Sequence, residues 1–159
     1  MRRLTALCRR SDVGREAAST RVIRPHRSGF EAVEPRVRLV EVEVEEIDEI
    51  NIYQAGMKAM RLALAKLSVT PEHVLIDGRS LKELSCPQTT FIKGDRDVYS
   101  IAAASIIAKV YRDTLMMRLD KQYPEYGFAR HMGYGTPAHR DAIRRLGPSP
   151  VHRRSFRLL

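Results

Sequence analysis

The sequence contains no tryptophan, and aromatic residues make up only 6% of it. Its two cysteines, Cys8 and Cys86, are too few for a cysteine metal quartet or a disulfide-stapled scaffold. They fit a reducing compartment. No apolar run approaches ~18 residues, which excludes a membrane-spanning helix. Met1 to Thr20 has no continuous hydrophobic stretch, which excludes a secretory signal. Its arginine and serine bias is that of an organellar transit peptide, but Asp12 and Glu16 interrupt it. Lysine is absent from the first 38 residues, whose positive charge is all arginine.

What the chain has in excess is positive charge. It carries 28 Lys and Arg against 19 Asp and Glu, a net of +9 over 159 residues. With 43% apolar residues, the length and composition indicate one soluble domain with a buried core. The balance favours a polyanionic partner, most often nucleic acid. The charge is unevenly placed. Residues 1–38 hold ten arginines and four acids, residues 41–51 hold six acids and no base, and residues 79–159 hold fifteen bases and seven acids. No internal repeat interrupts this arrangement.

Hydropathy patterning indicates an α/β layout. A short strand is expected around Arg21–Arg24. Val40, Val42 and Val44 alternate with charged residues between Val37 and Glu45, the period-two pattern of a half-buried strand. Ile50, Tyr53, Met57, Met60, Leu64 and Leu67 follow at spacings of three and four, the stripe of an amphipathic helix. Val74 to Ile76 reads as a buried strand closed by Asp77-Gly78, and Thr89 to Ile92 as another. A long helix is expected from Val98 to about Gln122, then a glycine-rich loop over residues 127–137. A short helix should follow from Pro137 to Leu146, opened by proline and stopped before Gly147-Pro148.

Two carboxylates stand where chemistry is possible. Asp77 ends a hydrophobic strand, the place where open α/β sheets collect ligands, and an Asp there suits a hard cation. The competing reading is an ordinary turn residue. Asp113 shares a helical row with Ala102, Ser105 and Lys109. The small residues 102–105 let that helix lie close to a sheet. The competing reading is a surface Lys109–Asp113 pair worth ~0.3–0.5 kcal/mol. In the loop, Tyr134 between Gly133 and Gly135 can stack on a base or sugar while backbone amides approach phosphate. Lys93, in Lys93-Gly-Asp95, is a weaker candidate for a phosphate contact. His131 and His139 lie eight apart, which matches no common metal spacing. The histidines are read as structural or solvated, and none is placed in the site.

Taken together, Glu46-Ile-Asp-Glu-Ile-Asn-Ile52, Val74-Leu-Ile-Asp-Gly78, Lys93-Gly-Asp95, Ile101-Ala-Ala-Ala-Ser-Ile-Ile-Ala-Lys-Val-Tyr-Arg-Asp113, Gly133-Tyr-Gly-Thr136, His139 and Gly147-Pro-Ser-Pro-Val-His-Arg-Arg-Ser-Phe156 resemble ribonuclease HII. The resemblance runs from about Val40 to the C-terminus. It implies a ribonuclease H-like α/β fold, a mixed sheet flanked by helices. It also implies cleavage of the RNA strand of RNA–DNA hybrids, including single ribonucleotides embedded in duplex DNA. The family's four carboxylates hold Mg2+ or Mn2+, and the products carry a 5′-phosphate and a 3′-hydroxyl. Two cations ~3.5–4 Å apart would offset the charge that develops on the phosphoryl group. Residue by residue, Asp77 matches the metal-binding aspartate of the Asp-Gly motif, and Asp113 the helix-borne carboxylate. Tyr134 matches the tyrosine that packs against the sugar at the RNA–DNA junction, and Lys93 a lysine near the substrate backbone. The resemblance further implies a monomer of the bacterial cytoplasm, with no membrane partner.

One family feature has no counterpart. The opening strand with Asp-Glu-Ala-Gly-Arg-Gly supplies the other two metal carboxylates, and nothing before Glu46 spells it. Asp12-Val-Gly-Arg-Glu16 lacks the adjacent carboxylate pair and the second glycine. Residues 1–38 therefore read as a divergent basic segment or a misread gene start. Residues 39–159 read as the family domain, with its first strands lacking or altered. Two functions follow: a metal-dependent endoribonuclease, or a nucleic-acid-binding remnant without activity.

Overall fold

In a computed structural model of the chain, the residues described are 37–155, together with the backbone of Leu7–Cys8. The strand expected at Arg21–Arg24, the Asp12–Glu16 stretch and Phe156 lie outside them.

The architecture is α/β. Strand β1 (Leu7–Cys8) precedes helix α1 (Val44–Ala65), then β2 (Val74–Asp77) and β3 (Gln88–Phe91). Helices α2 (Gly94–Asp97) and α3 (Tyr99–Gln122), a 3-10 turn at Pro124–Tyr126, α4 (Phe128–His131) and α5 (Pro137–Leu146) complete the order. Among the described residues the sheet has the order β1-β2-β3. β1 pairs antiparallel with β2, Leu7 opposite Leu75. β2 pairs parallel with β3, Val74 opposite Gln88 and Asp77 opposite Phe91. The sheet is thus mixed, as expected. No helix among the described residues is long and apolar enough to cross a membrane.

The expected buried strand forms because Val74 and Ile76 alternate inward and are almost wholly buried. They pack with Met57, Met60, Leu64 and Leu81 in one core cluster. The α1 stripe supplies three of those residues, although Tyr53 from the same stripe is exposed. A second cluster joins Tyr126 and Phe128 to Ala142 and Ile143 of α5. That helix has the expected bounds. The Thr136 hydroxyl accepts from the His139 amide at 3.3 Å, and Pro137 occupies the first turn, a side-chain cap with a pre-set φ.

Three expectations need correction. Residues 37–43 form no strand. Residues 38–43 line a groove together with residues of α1 and α3, with Val42 half-buried between exposed Glu41 and Glu43. Period-two burial needs only an extended chain against an apolar wall, and the Arg38 guanidinium and the Glu41 carboxylate find partners at the Lys66 carbonyl and the Tyr111 hydroxyl. Helix α1 begins earlier than the stripe and is broken at Asn51 (φ 65°, ψ 163°). The Asn51 carboxamide oxygen accepts from the amides of Tyr53 and Gln54 and caps the start of the second part. Finally, the loop at 127–137 contains the single turn α4, and β3 ends one residue early, leaving Ile92 exposed.

One contact ties distant parts of the chain. The Asp48 carboxylate accepts from the amides of Arg154 (2.7 Å) and Ser155 (3.0 Å) and from the Ser155 hydroxyl (2.5 Å). These hydrogen bonds, the hydroxyl foremost, hold its pKa below the usual value.

Candidate nucleic-acid and metal site

Asp77 sits at the C-terminal end of β2, half-buried. Gly78 turns the chain away at φ +102°, where its amide still donates to the Phe91 carbonyl at 2.7 Å. A left-handed glycine allows that sharp exit. One Asp77 oxygen accepts from the Gly94 amide at 2.9 Å. This contact draws the start of α2 onto the strand end and places Asp77 beside the backbone of Lys93. Lys93 itself is left-handed (φ 61°) and exposed.

Asp113 belongs to a second group. The inward face of α3 is Ile101, Ala104, Ala108, Arg112 and Met116. The small residues Ala104 and Ala108 do lie in the interior, but the row of Ala102, Ser105, Lys109 and Asp113 runs along the helix flank. Asp113 pairs with Lys109 at 2.5 Å, its side chain 30% exposed. The same Lys109 ammonium lies 5.7 Å from the ring centre of Tyr134, and the Arg112 guanidinium lies 5.9 Å from it. Tyr134 is 47% exposed. Gly133, at φ +73°, leaves room for Arg112 and Met116, which a Cβ there would meet at 3.2 Å. Gly135 lies against Arg140.

The structure therefore brings Asp113, Tyr134, Gly133 and Gly135 into one group, and Asp77 and Lys93 into another. No hydrogen bond or ion pair among the described residues joins the two. Arg112 went unnoticed in the sequence because it stands on an otherwise apolar helical row. It is 3% exposed and donates to the Met132 carbonyl at 2.8 Å, while its Nε and Nη1 find no partner. Burial lowers its pKa, against the opposing pull of Tyr134 and Asp113. The buried His139 ring contacts the Tyr134 carbonyl from behind at 2.9 Å.

Chemically, an exposed aromatic ring beside a lysine and a carboxylate can take a sugar face and its phosphate together. The carboxylates of Asp77 and Asp113 suit a hard divalent cation in kind. They do not suffice in number. Among the described residues no three His, Cys, Asp or Glu side chains come together as a metal-holding group.

The sequence profile of the Ribonuclease HII family matches residues 30–159. The chain is 58% identical over 114 residues to a ribonuclease HII of Myxococcus xanthus, and 57% identical over 115 residues to one of Geobacillus kaustophilus. It is 53% identical over 121 residues to one of Pelodictyon phaeoclathratiforme. These alignments cover 72%, 72% and 76% of this chain, but 39%, 44% and 59% of the relatives' own lengths.

Proposed function

Because the chain belongs to the ribonuclease HII family, we propose that it serves hydrolysis of the RNA strand in RNA–DNA hybrids, including ribonucleotides embedded in duplex DNA. Asp77 and Asp113 contribute two carboxylates to a site for Mg2+ or Mn2+. Tyr134, flanked by Gly133 and Gly135, meets the sugar at the RNA–DNA junction, and Lys93 meets the backbone. The bound cation would supply charge neutralisation at the phosphate. The setting we assign is a cytoplasmic monomer. The observation that carries this reading is the grouping of exposed Tyr134 with Lys109 and Asp113 on the flank of α3.

A second reading has its own support. With no three-carboxylate group among the described residues, the chain would bind the duplex through its basic surface and not cut it. One experiment separates the two. A DNA duplex carrying a single ribonucleotide is incubated with the full chain and Mg2+, Mn2+ or EDTA. Cutting 5′ to the ribonucleotide only with metal, lost in Asp77→Asn, supports hydrolysis. Salt-sensitive binding without cutting supports the second reading.

A further inference from the structure

Beneath the Tyr134 loop lie three buried histidines from three segments: His131 of α4, His139 of α5 and His152 of the C-terminal segment. His131 stacks on His139 with ring centres 4.1 Å apart, and Phe128 packs edge-on against both. Their hydrogen bonds have only one consistent proton order. The Ser149 amide can only donate, so His152 Nδ1, 3.0 Å away, accepts, and the ring proton of His152 resides on Nε2. That Nε2 faces His139 Nε2 at 3.0 Å, which must therefore accept. The proton of His139 is then on Nδ1, 2.9 Å from the Tyr134 carbonyl, a group that can only accept. The order set from the Ser149 end and the order required at the Tyr134 end agree. His131 is ordered likewise, accepting from the Gly133 amide at Nδ1 (3.3 Å) and donating from Nε2 to the Tyr126 carbonyl (2.9 Å).

We propose that His152 and His139 are positioning residues for Tyr134, a proton-ordered pair of neutral rings that holds the Tyr134 carbonyl and thereby sets the exposed ring. The functional consequence rests on the proposed contact of Tyr134 with the sugar; the proton order does not. A proton added to His139 enters Nε2 and sets N–H against N–H across the His139–His152 contact; one added to His152 enters Nδ1 and sets N–H against the Ser149 amide, where the Ser149 hydroxyl also lies 2.7 Å away. The titratable and charged groups around the pair are His131, stacked on His139; Tyr126, whose hydroxyl donates to the Gly147 carbonyl; Arg153, next in the chain to His152; and Arg112, behind the loop at the Met132 carbonyl. No carboxylate is hydrogen-bonded or ion-paired to either ring among the described residues. Burial, followed by the neighbouring histidine rings, pushes the pKa of His152 down; burial does the same for His139, with the Tyr134 carbonyl opposing.

The test begins with the ring 15N spectrum of the full chain at pH 7.5. The expected result is His139 in the Nδ1–H form and His152 in the Nε2–H form; His139 in the Nε2–H form, or a charged ring, overturns the proposal. On acidification, the amide signals of Gly133 to Thr136 should move together with the two rings. Loop signals that stay fixed while the rings titrate overturn the positioning role. In the double variant His139→Asn, His152→Gln, both amides keep a donor where the ring proton stood and neither titrates. Apart from Gly133, whose amide still donates to the His131 ring, its loop signals should not move over the same range. For the parent chain, preference for a ribonucleotide-bearing duplex over an all-DNA duplex should fall about two- to tenfold through the ring titration. If that preference is absent at every pH while rings and loop behave as expected, the sugar contact of Tyr134 fails and the proton-ordered pair stands.

Discussion

Gly94→Ala tests how the strand end that carries Asp77 is held. The Gly94 amide donates to the Asp77 carboxylate, so any shift of this residue moves the carboxylate's partner. A Cβ here would lie 2.7 Å from Ile101 Cδ1 and 3.0 Å from Phe91 Cβ. The first neighbour is a side-chain tip and can turn aside. The second is fixed to the backbone of β3 and cannot. Overpacking of this kind costs about 1–3 kcal/mol. Ile101→Val removes the Cδ1 atom and by itself costs about 0.5–1.5 kcal/mol. If contact is the cause, the double variant is destabilised by clearly less than the sum of the two. Gly78→Ala provides the contrast. A Cβ at Gly78 meets nothing within 4 Å, but φ is +102°, so its cost of about 1–3 kcal/mol is backbone strain. That cost should add independently to Ile101→Val. Urea unfolding followed by helical circular dichroism, with the denaturant slope unchanged, measures the parent and the five variants. A Gly94→Ala midpoint equal to the parent's, or strict additivity with Ile101→Val, refutes the packing argument.

Other consequences are measurable. His139 and His152 have pKa values lowered below their ordinary 6.5, so the unfolded chain binds more protons between the native values and 6.5. Stability is full above that range, falls as pH drops through it by at most about 1.4 kcal/mol per pH unit for each ring, and levels off below it; urea midpoints that stay level from pH 7 to pH 5 would contradict this. Asp113→Asn should lower stability by only about 0.3–0.5 kcal/mol, because its partner Lys109 is half-exposed, yet abolish metal-dependent cutting. A loss of several kcal/mol in thermal unfolding would mark it as structural instead. Thr136→Ala removes the cap of α5 and should cost about 1 kcal/mol in the same measurement.

Much of this arrangement was legible in the residues. Val74 and Ile76, α3 and α5 announced themselves because their patterns are local: alternation against one core, small residues on one helix face, a Thr-Pro start and a Gly-Pro stop. The family motifs pointed to Asp77, Asp113, Tyr134 and Lys93 before any geometry. The segment at 37–43 misled because alternation reports burial on one side and says nothing of which wall supplies it. The Asn51 break was hidden inside an unbroken apolar stripe. The histidine pair was invisible for a different reason. His139 and His152 are thirteen residues apart, a spacing that belongs to no helix or strand. Their meeting depends on the turn at Gly147 and on Ser149, which orients the second ring through its backbone.

The tether from Asp48 to Arg154 and Ser155 bears on the order in which the chain assembles. It joins residues 106 and 107 positions apart. Closing a loop of that length carries an entropic cost of about 4 kcal/mol, which three exposed hydrogen bonds on one carboxylate do not offset unless the intervening helices and sheet have already shortened the path. The tether therefore forms after the folding barrier. Asp48→Ala should leave the folding arm of a chevron unchanged and raise the unfolding rate all along the unfolding arm. Arg154 and Ser155 act as a latch on a body that is already built.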